Sequence, residues 1–151
     1  MNDEWGTPDW VFKLAHKIEP TFVFDAACNE KNCLVPGQVI FGDSLSYSWD
    51  GYWAGAVWCN PPYSRGNIDK FVEKGLQEAR ENGIRSVFLV RLDPTSKWFR
   101  KAFESGYCDI YLLSKRIKFK GADNSYPFPN CLIHFQSKDN NGNVRYIHAE
   151  D

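Results

Sequence analysis

The sequence predicts an α/β fold in which a mostly parallel sheet is flanked by helices. Short apolar runs at residues 22–27, 56–59 and 86–90 have the length and composition of buried strands. Segments with the apolar spacing of amphipathic helices accompany these runs, and polar residues follow their ends. Strands that alternate with helices are typical of a doubly wound sheet, which binds its ligands at the carboxyl ends of its strands.

Length and composition are those of one globular domain. The chain has 151 residues, of which 43% are hydrophobic and 25% are charged, and this length is sufficient to bury a core. We find neither an apolar run of membrane-spanning length nor a basic-then-apolar leader. The five cysteines are irregularly spaced, so we interpret them as reduced cytosolic thiols and expect no bound metal.

The net charge of −1 conceals an uneven distribution of charged side chains. Residues 97–120 contain seven basic and two acidic residues, which leaves the remainder of the chain acidic. A basic half is typical of a surface that faces phosphate groups. A solvated charged face is the alternative interpretation.

The first helix is predicted between two prolines. Thr7 is expected to be its N-cap and Pro8 its first residue, and Pro20 ends the pattern. The free N–H groups at a helix start can bind an anion, and a plain helix cap is the alternative. The apolar positions on one face of this helix are Trp10, Val11, Leu14, Ala15 and Ile18.

An acidic residue follows each of the first two predicted strands. The run at 22–27 ends in Asp25, Ala26 and Ala27, and a short strand at 39–41 leads to Asp43. Small residues beside a carboxylate let a ligand approach the backbone, whereas an ordinary turn at the strand end is the alternative. A glycine-rich fingerprint is absent here, which argues against a dinucleotide or P-loop site.

The second half of the chain continues the alternation. A helix at 68–79, capped by Ser64 or Asn67 and ended by Gly83, precedes the strand that leads to Arg91. The remaining predicted elements are a short helix at 98–103, a strand at 107–113, a strictly alternating strand at 115–120 with its charges on one face, a loop at 121–129 that carries Asn124, and antiparallel C-terminal strands at 131–135 and 144–148.

The stretch with the most distinctive chemistry is the loop Asn-Pro-Pro-Tyr at residues 60–63. Proline has no N–H and restricts the preceding residue to extended backbone, so a buried strand ends here in a stiff loop. The Asn60 side-chain oxygen and the Pro61 carbonyl can accept both hydrogens of an adenine amine and aim its lone pair at a methyl donor. Tyr63 can stack on a base that has left the duplex.

These four residues match the Asn/Asp-Pro-Pro-Tyr motif of amino-group methyltransferases. With its flanks, the chain resembles the compact, phage-type DNA N6-adenine methyltransferase family. The matching pieces are Glu-Trp-Gly-Thr-Pro at 4–8, Phe-Asp-Ala-Ala at 24–27, Asn-Pro-Pro-Tyr-Ser at 60–64, Arg-Ile-Lys-Phe at 116–119 and Pro-Phe-Pro at 127–129. The motif alone is shared with other amino-group methyltransferases, but all the pieces in this order are much more specific.

The resemblance implies a Rossmann-like class I methyltransferase sheet that uses S-adenosylmethionine and acts on the N6 amine of adenine in double-stranded DNA. The implied catalytic residues are Asn60, Pro61, Pro62 and Tyr63. The implied cofactor-binding residues are Trp5, Thr7, Pro8, Asp25, Ala26, Ala27 and Asp43. For DNA contacts we expect Arg91, Lys115, Arg116, Lys118, Lys120 and Asn124.

We expect residues 1–151 to form a single domain without a separate target-recognition domain, in a phage- or prophage-encoded protein of the bacterial cytoplasm. A homodimer is an open alternative. The alternative functions are amino-group methylation of cytosine N4, RNA or a protein glutamine, and non-catalytic DNA binding as a decoy with the same fold.

Overall fold

The computed structural model describes residues 5–28, 32–36, 38, 43–52, 54–64, 66–137 and 142–148. The predicted strand at 39–41 therefore lies outside the described residues. The elements are α1 (Asp9–Ile18), β1 (Phe22–Asp25), β2 (Ala56–Cys59), α2 (Asn67–Asn82), β3 (Ser86–Arg91), α3 (Lys97–Glu104), β4 (Cys108–Leu113), β5 (Asn130–Phe135) and β6 (Val144–Ile147), with a 3-10 turn at Ser44–Ser46.

The described strands form one six-stranded sheet in the order β1-β2-β3-β5-β4-β6. β1, β2 and β3 pair in parallel, and β5 is antiparallel to both β3 and β4. The α/β class and the mostly parallel sheet are therefore confirmed. The expectation of antiparallel C-terminal strands is right for β5 and wrong for β6, which pairs in parallel with β4 as the edge strand.

The helices cover both faces of the sheet. Trp58 is aligned with Val87 on the neighbouring strand, so the next residue, Phe88, points to the opposite face. The α1 residue Phe12 packs edge-to-face against Trp58 with ring centroids 5.1 Å apart. Gly75 of α2 lies against Phe88, where an added Cβ would approach the ring to 2.6 Å. Thus α1 and α2 lie on opposite faces, and close packing on the α2 side requires glycine.

The predicted helix ends are right at the C-terminus of α2 and wrong at the start of both long helices. The N-cap of α2 is Gly66, which has no side-chain cap, and not Ser64 or Asn67. Gly83 ends α2 in the left-handed conformation with φ 66°, and its N–H donates to the Ala79 carbonyl. At the start of α1 the prediction is one residue off, because Pro8 occupies the N-cap position and has no side-chain cap to offer. The hydroxyl of Thr7 is engaged elsewhere.

Residues 115–120 are not a strand. Within this segment only Lys120 makes a ladder contact, an isolated antiparallel bridge with Gly6. The alternation in exposure is nevertheless real, since Ile117 and Phe119 are buried in the core whereas the basic residues are exposed. The segment packs its apolar residues inward without a neighbouring strand of its own, except at that bridge. Among the described residues, no helix combines the length and apolar character needed to cross a bilayer.

Candidate active site

A cleft opens where β1 and β2 end. β1 finishes at Asp25, and Asn60 follows the last residue of β2, so both side chains lie at the carboxyl edge of a parallel pair. Both line one part of the cleft together with Trp5, Thr7 and Ala27. An adjoining part has a volume of about 430 Å³ and shares with it Gly6, Thr7, Asn32 and Leu34. The adjoining part is within the range of small-molecule sites, roughly 300–1,000 Å³, whereas the part lined by Asp25 and Asn60 has a volume of only about 20 Å³.

Asn60 holds its amide in one orientation. Its Nδ2 donates to the Thr7 Oγ1 at 3.1 Å. Its Oδ1 is buried and has no hydrogen-bond partner among the described residues. A buried acceptor without a donor costs roughly 1–3 kcal/mol, and such an atom calls for an explanation such as a bound ligand, a water or strain. Among the described residues, side-chain oxygens of Tyr47, Ser86 and Asn130 are in the same situation. The unsatisfied atom of Asn60 is the one that the sequence predicts to accept an amine hydrogen.

The rest of the 60–63 loop is closely packed. Pro61 is buried and Pro62 is half-buried. The Tyr63 hydroxyl donates to the Leu89 carbonyl at 3.1 Å and accepts from Asn130 Nδ2 at 3.2 Å. Burial raises the pKa of the Tyr63 phenol well above its ordinary value. In this conformation Tyr63 therefore anchors the loop to the sheet, and its stacking on a base stays a prediction.

Aromatic residues surround the Tyr63 ring. Phe119 and Tyr126 contact it edge-to-face, with centroid distances of 6.1 and 5.7 Å. Both lie within residues 115–126, which include five of the six residues predicted to contact DNA. Both rings pack against the 60–63 loop through Tyr63. Tyr126 is also buried.

Asp25 is a buried carboxylate at the base of the cleft. Its oxygens accept from the Ala27 and Leu34 backbone N–H groups at 3.2 and 3.1 Å. Burial raises the pKa of Asp25 to about 6, although these two hydrogen bonds lower it. The strand-end turn is thus confirmed, because the side chain caps the loop. The carboxylate also lines the cleft, and its contact with a cofactor stays a prediction.

Gln38 is a site residue that the sequence analysis missed. Its side-chain amide accepts from the Asp25 N–H at 2.7 Å and donates to the Asp25 carbonyl at 3.1 Å. The Gln38 amide thus bonds to both backbone groups of Asp25, as the backbone of a neighbouring strand would. No local pattern announces such a contact, because it depends on how the intervening loop folds back.

Two cysteines in the cleft are joined, contrary to the interpretation of five free thiols. Cys28 and Cys33 form a disulfide, with their Cα atoms 4.8 Å apart. This distance is within the usual Cα separation of a disulfide. Among the described residues, Cys59, Cys108 and Cys131 are free and buried.

The remaining predicted cofactor residues have mixed positions. Pro8 and Ala26 are buried beside the cleft residues Thr7 and Ala27. The Ala26 carbonyl accepts from the Ser44 hydroxyl at 2.6 Å. Asp43 is exposed, and its Oδ1 accepts from the Leu45 N–H at 3.1 Å as the cap of the 3-10 turn. The structure thus gives Asp43 a turn role, and its contact with a cofactor stays a prediction.

The predicted DNA-binding cations are largely engaged within the protein. The Lys120 ammonium lies 2.8 Å from an Asp9 carboxylate oxygen, and the Lys115 ammonium lies 4.5 Å from the centre of the Trp10 ring. Arg116 donates to the Pro127 carbonyl. The contacts of Lys120 and Lys115 hold this segment against α1, whereas that of Arg116 ties it to the loop that follows.

Three predicted DNA-binding residues remain. Arg91 donates through Nε to Asp93 at 3.1 Å and is two-thirds buried. Lys118 and Asn124 are exposed. Contact of any of the six residues with DNA stays a prediction. Within the 115–120 segment, Lys118 is the cation whose side chain has no partner among the described residues.

Comparison with known proteins agrees with the chemistry of this cleft. The family model described as "DNA N-6-adenine-methyltransferase (Dam)" matches residues 1–148. A DNA N-6-adenine-methyltransferase of Haemophilus phage HP1 (strain HP1c1) is 27% identical over 154 aligned residues, which cover 95% of this chain and 84% of the phage protein. A DNA N-6-adenine-methyltransferase of Escherichia phage T1 is 29% identical over 102 residues, 68% of this chain and 41% of that longer protein. No solved structure matches the chain significantly. Because the family model spans nearly the whole sequence, this chain belongs to the DNA N-6-adenine-methyltransferase (Dam) family.

Proposed function

We propose that this protein transfers a methyl group from S-adenosylmethionine to the N6 amine of adenine in DNA. The observation that carries the proposal is the Asn60 Oδ1, a buried acceptor without a described donor at the edge of a cleft. An exocyclic amine supplies the missing donor. The family membership and the names of the two phage relatives support adenine in DNA as the substrate.

The residues of the 60–63 loop would act by positioning. Asn60 Oδ1 and the Pro61 carbonyl accept the two amine hydrogens, which draws the nitrogen towards tetrahedral geometry and exposes its lone pair. Preorganised acceptors of this kind are worth roughly 10²- to 10³-fold in rate each. One proton is released as the new N–C bond forms, and we propose that water takes it.

The cleft residues fit an S-adenosylmethionine molecule. Asp25 places a buried carboxylate where an α-ammonium group can neutralise it, and Thr7 and Trp5 line the same wall. The sulfonium of that cofactor supplies the transferable methyl group. Desolvation raises the pKa of Asp25 to about 6 in the ligand-free protein, so pairing with a cation would stabilise the charged form and lower that pKa.

Access to the amine requires that the adenine leave the duplex, because the chemistry occurs within a protein cleft. We propose that the extruded base enters beside Asn60 and that the Tyr63 ring forms part of its pocket after Phe119 or Tyr126 moves. The exposed residues Lys118 and Asn124 are proposed contacts to the duplex. The described sheet and helices act as one Rossmann-like methyltransferase domain, which serves a phage within its bacterial host.

The test is to incubate plasmid DNA with tritiated S-adenosylmethionine and identify the labelled nucleoside after complete digestion. We expect N6-methyldeoxyadenosine from the wild-type protein and almost none from Asn60→Ala. Asn82→Ala, at the far end of α2, is the matched control and should behave as wild type. Label in N4-methyldeoxycytidine, RNA or protein, or DNA binding without transfer, would each replace the proposal with one of the alternatives.

A further inference from the structure

The hydrogen bond between Asn60 and Thr7 joins residues that are 53 positions apart in the chain. Thr7 is only 4% exposed, so its hydroxyl is shielded from water on most sides. Thr7 is predicted to be the N-cap of α1, but Pro8 occupies the N-cap position. The Thr7 side chain is therefore available for the loop that carries the proposed catalytic amide.

Both partners of this bond are held in stiff backbone. Thr7 precedes Pro8 and Asn60 precedes Pro61, and a residue before proline is restricted to extended conformations. The β-branched threonine side chain also has few χ1 rotamers. A single hydrogen bond between two such residues fixes an orientation at little further entropic cost.

Thr7 is itself held in place by contacts on its N-terminal side. Gly6 exchanges two backbone hydrogen bonds with Lys120, with N···O distances of 3.0 and 2.9 Å. Trp5 stacks on Phe119 with ring centroids 6.3 Å apart. Residues 5–7 are thereby held against the 115–121 segment. The Thr7 hydroxyl is therefore fixed in position where it contacts Asn60.

An amide has a donor end and an acceptor end, so satisfying one end decides where the other points. We propose that Thr7 is a positioning residue, which binds Asn60 Nδ2 so that Asn60 Oδ1 faces the amine of the substrate. This inference rests on the proposed function of Asn60 and adds to it the residue that orients the amide. Valine at position 7 has the same shape but cannot accept the hydrogen bond.

The kinetic test uses Thr7→Val and Thr7→Ser, each alone and combined with Asn60→Ala. We expect Thr7→Val to lower the single-turnover rate about tenfold at saturating DNA and cofactor, the effect of losing one ordinary hydrogen bond. Thr7→Ser restores the acceptor and should stay within about twofold of wild type. In the Asn60→Ala background, Thr7→Val should have no further effect, because the amide that it orients is gone.

A second measurement needs neither substrate nor cofactor. The Asn60 side-chain amide can be assigned by NMR from the signal that Asn60→Ala removes. Its hydrogen exchange in the ligand-free protein should accelerate about tenfold in Thr7→Val and remain slow in Thr7→Ser, in line with the loss and retention of one hydrogen bond. Thermal denaturation of each variant shows whether it is folded, and Thr7→Ala replaces Thr7→Val if valine prevents folding.

Three results would overturn the inference. The first is a Thr7→Val variant that weakens cofactor binding but keeps the wild-type rate at saturation. The second is an effect of Thr7→Val that multiplies with that of Asn60→Ala. The third is an unchanged exchange rate of the Asn60 amide in Thr7→Val. If the wild-type protein methylates nothing, the proposed function fails, whereas the exchange measurement still decides whether Thr7 orients Asn60.

Discussion

The replacement Asn60→Ala separates the function of this residue from its contribution to stability. It removes the hydrogen bond from Nδ2 to the Thr7 hydroxyl, whose net contribution is about 0.5–1.5 kcal/mol. It also removes the buried Oδ1, which has no hydrogen-bond partner among the described residues, and so relieves a penalty of about 1–3 kcal/mol. The two effects oppose each other, so the free energy of unfolding should stay unchanged or rise.

Activity should change in the other direction. The loss of one preorganised partner for the transition state costs about 2.7–4 kcal/mol, so methyl transfer should fall roughly 10²- to 10³-fold. Cofactor affinity should remain close to wild type, because the amide is expected to contact the reacting amine. The assay combines single-turnover methylation of a DNA duplex, cofactor titration and urea denaturation of the same preparations.

Two outcomes would refute this reasoning. Transfer within about threefold of wild type would mean that Asn60 makes no contact of the kind that oriented acceptors make. A loss of more than about 2 kcal/mol of stability would mean that the side chain is held by contacts stronger than one ordinary hydrogen bond. Asn82→Ala controls for the generic effect of losing an asparagine, since Asn82 is exposed and donates to Glu78 and Ser48, neither of which lines the cleft.

Three further predictions concern the carboxylate, the anchor and the exposed cation. Burial raises the Asp25 pKa from 3.8 to about 6, so the protonated carboxyl stabilises the fold below pH 4 and this stabilisation is lost as the pH rises through 6. In urea titrations Asp25→Asn should abolish the resulting decline of roughly 3 kcal/mol in the free energy of unfolding. The affinity for the proposed cofactor should rise with pH over the same interval. Tyr63→Phe removes the hydroxyl that links Leu89 and Asn130 and should lower the free energy of unfolding by about 1–3 kcal/mol, and an unchanged urea midpoint would contradict the anchoring role. Lys118→Ala should reduce the slope of log affinity for DNA against log salt by about 1, and an unchanged slope would remove this residue from the DNA surface.

Much of the fold was predictable because it depends on local patterns. The strands at the centre of the sheet are apolar runs, and α2 shows its buried face at helical spacing before a glycine that ends it. The failures occur where a neighbour overrides the local pattern. Residues 115–120 alternate as a strand does, but apart from the bridge at Lys120 no strand pairs with them. β6 follows β5 in sequence, yet it pairs with the far side of β4.

The sequence by itself determined the chemistry of the site. Two prolines after a buried strand dictate a stiff loop with an amide at its start, and a carboxylate at the end of another strand dictates a polar cleft edge. These features are local, so they can be recognised from neighbouring residues alone.

Only the tertiary structure decided which atoms are engaged and which are left without a partner. Asn60 meets Thr7 across 53 positions, Tyr63 meets Asn130 across 67, and Gln38 braces Asp25 through a loop. Such contacts arise when the sheet and its loops pack together, and they are specified by shape and hydrogen bonding between distant segments. A pattern along the chain cannot reveal that the Asn60 Oδ1 has no hydrogen-bond partner within the described part of the chain, because that depends on which distant residues pack around it.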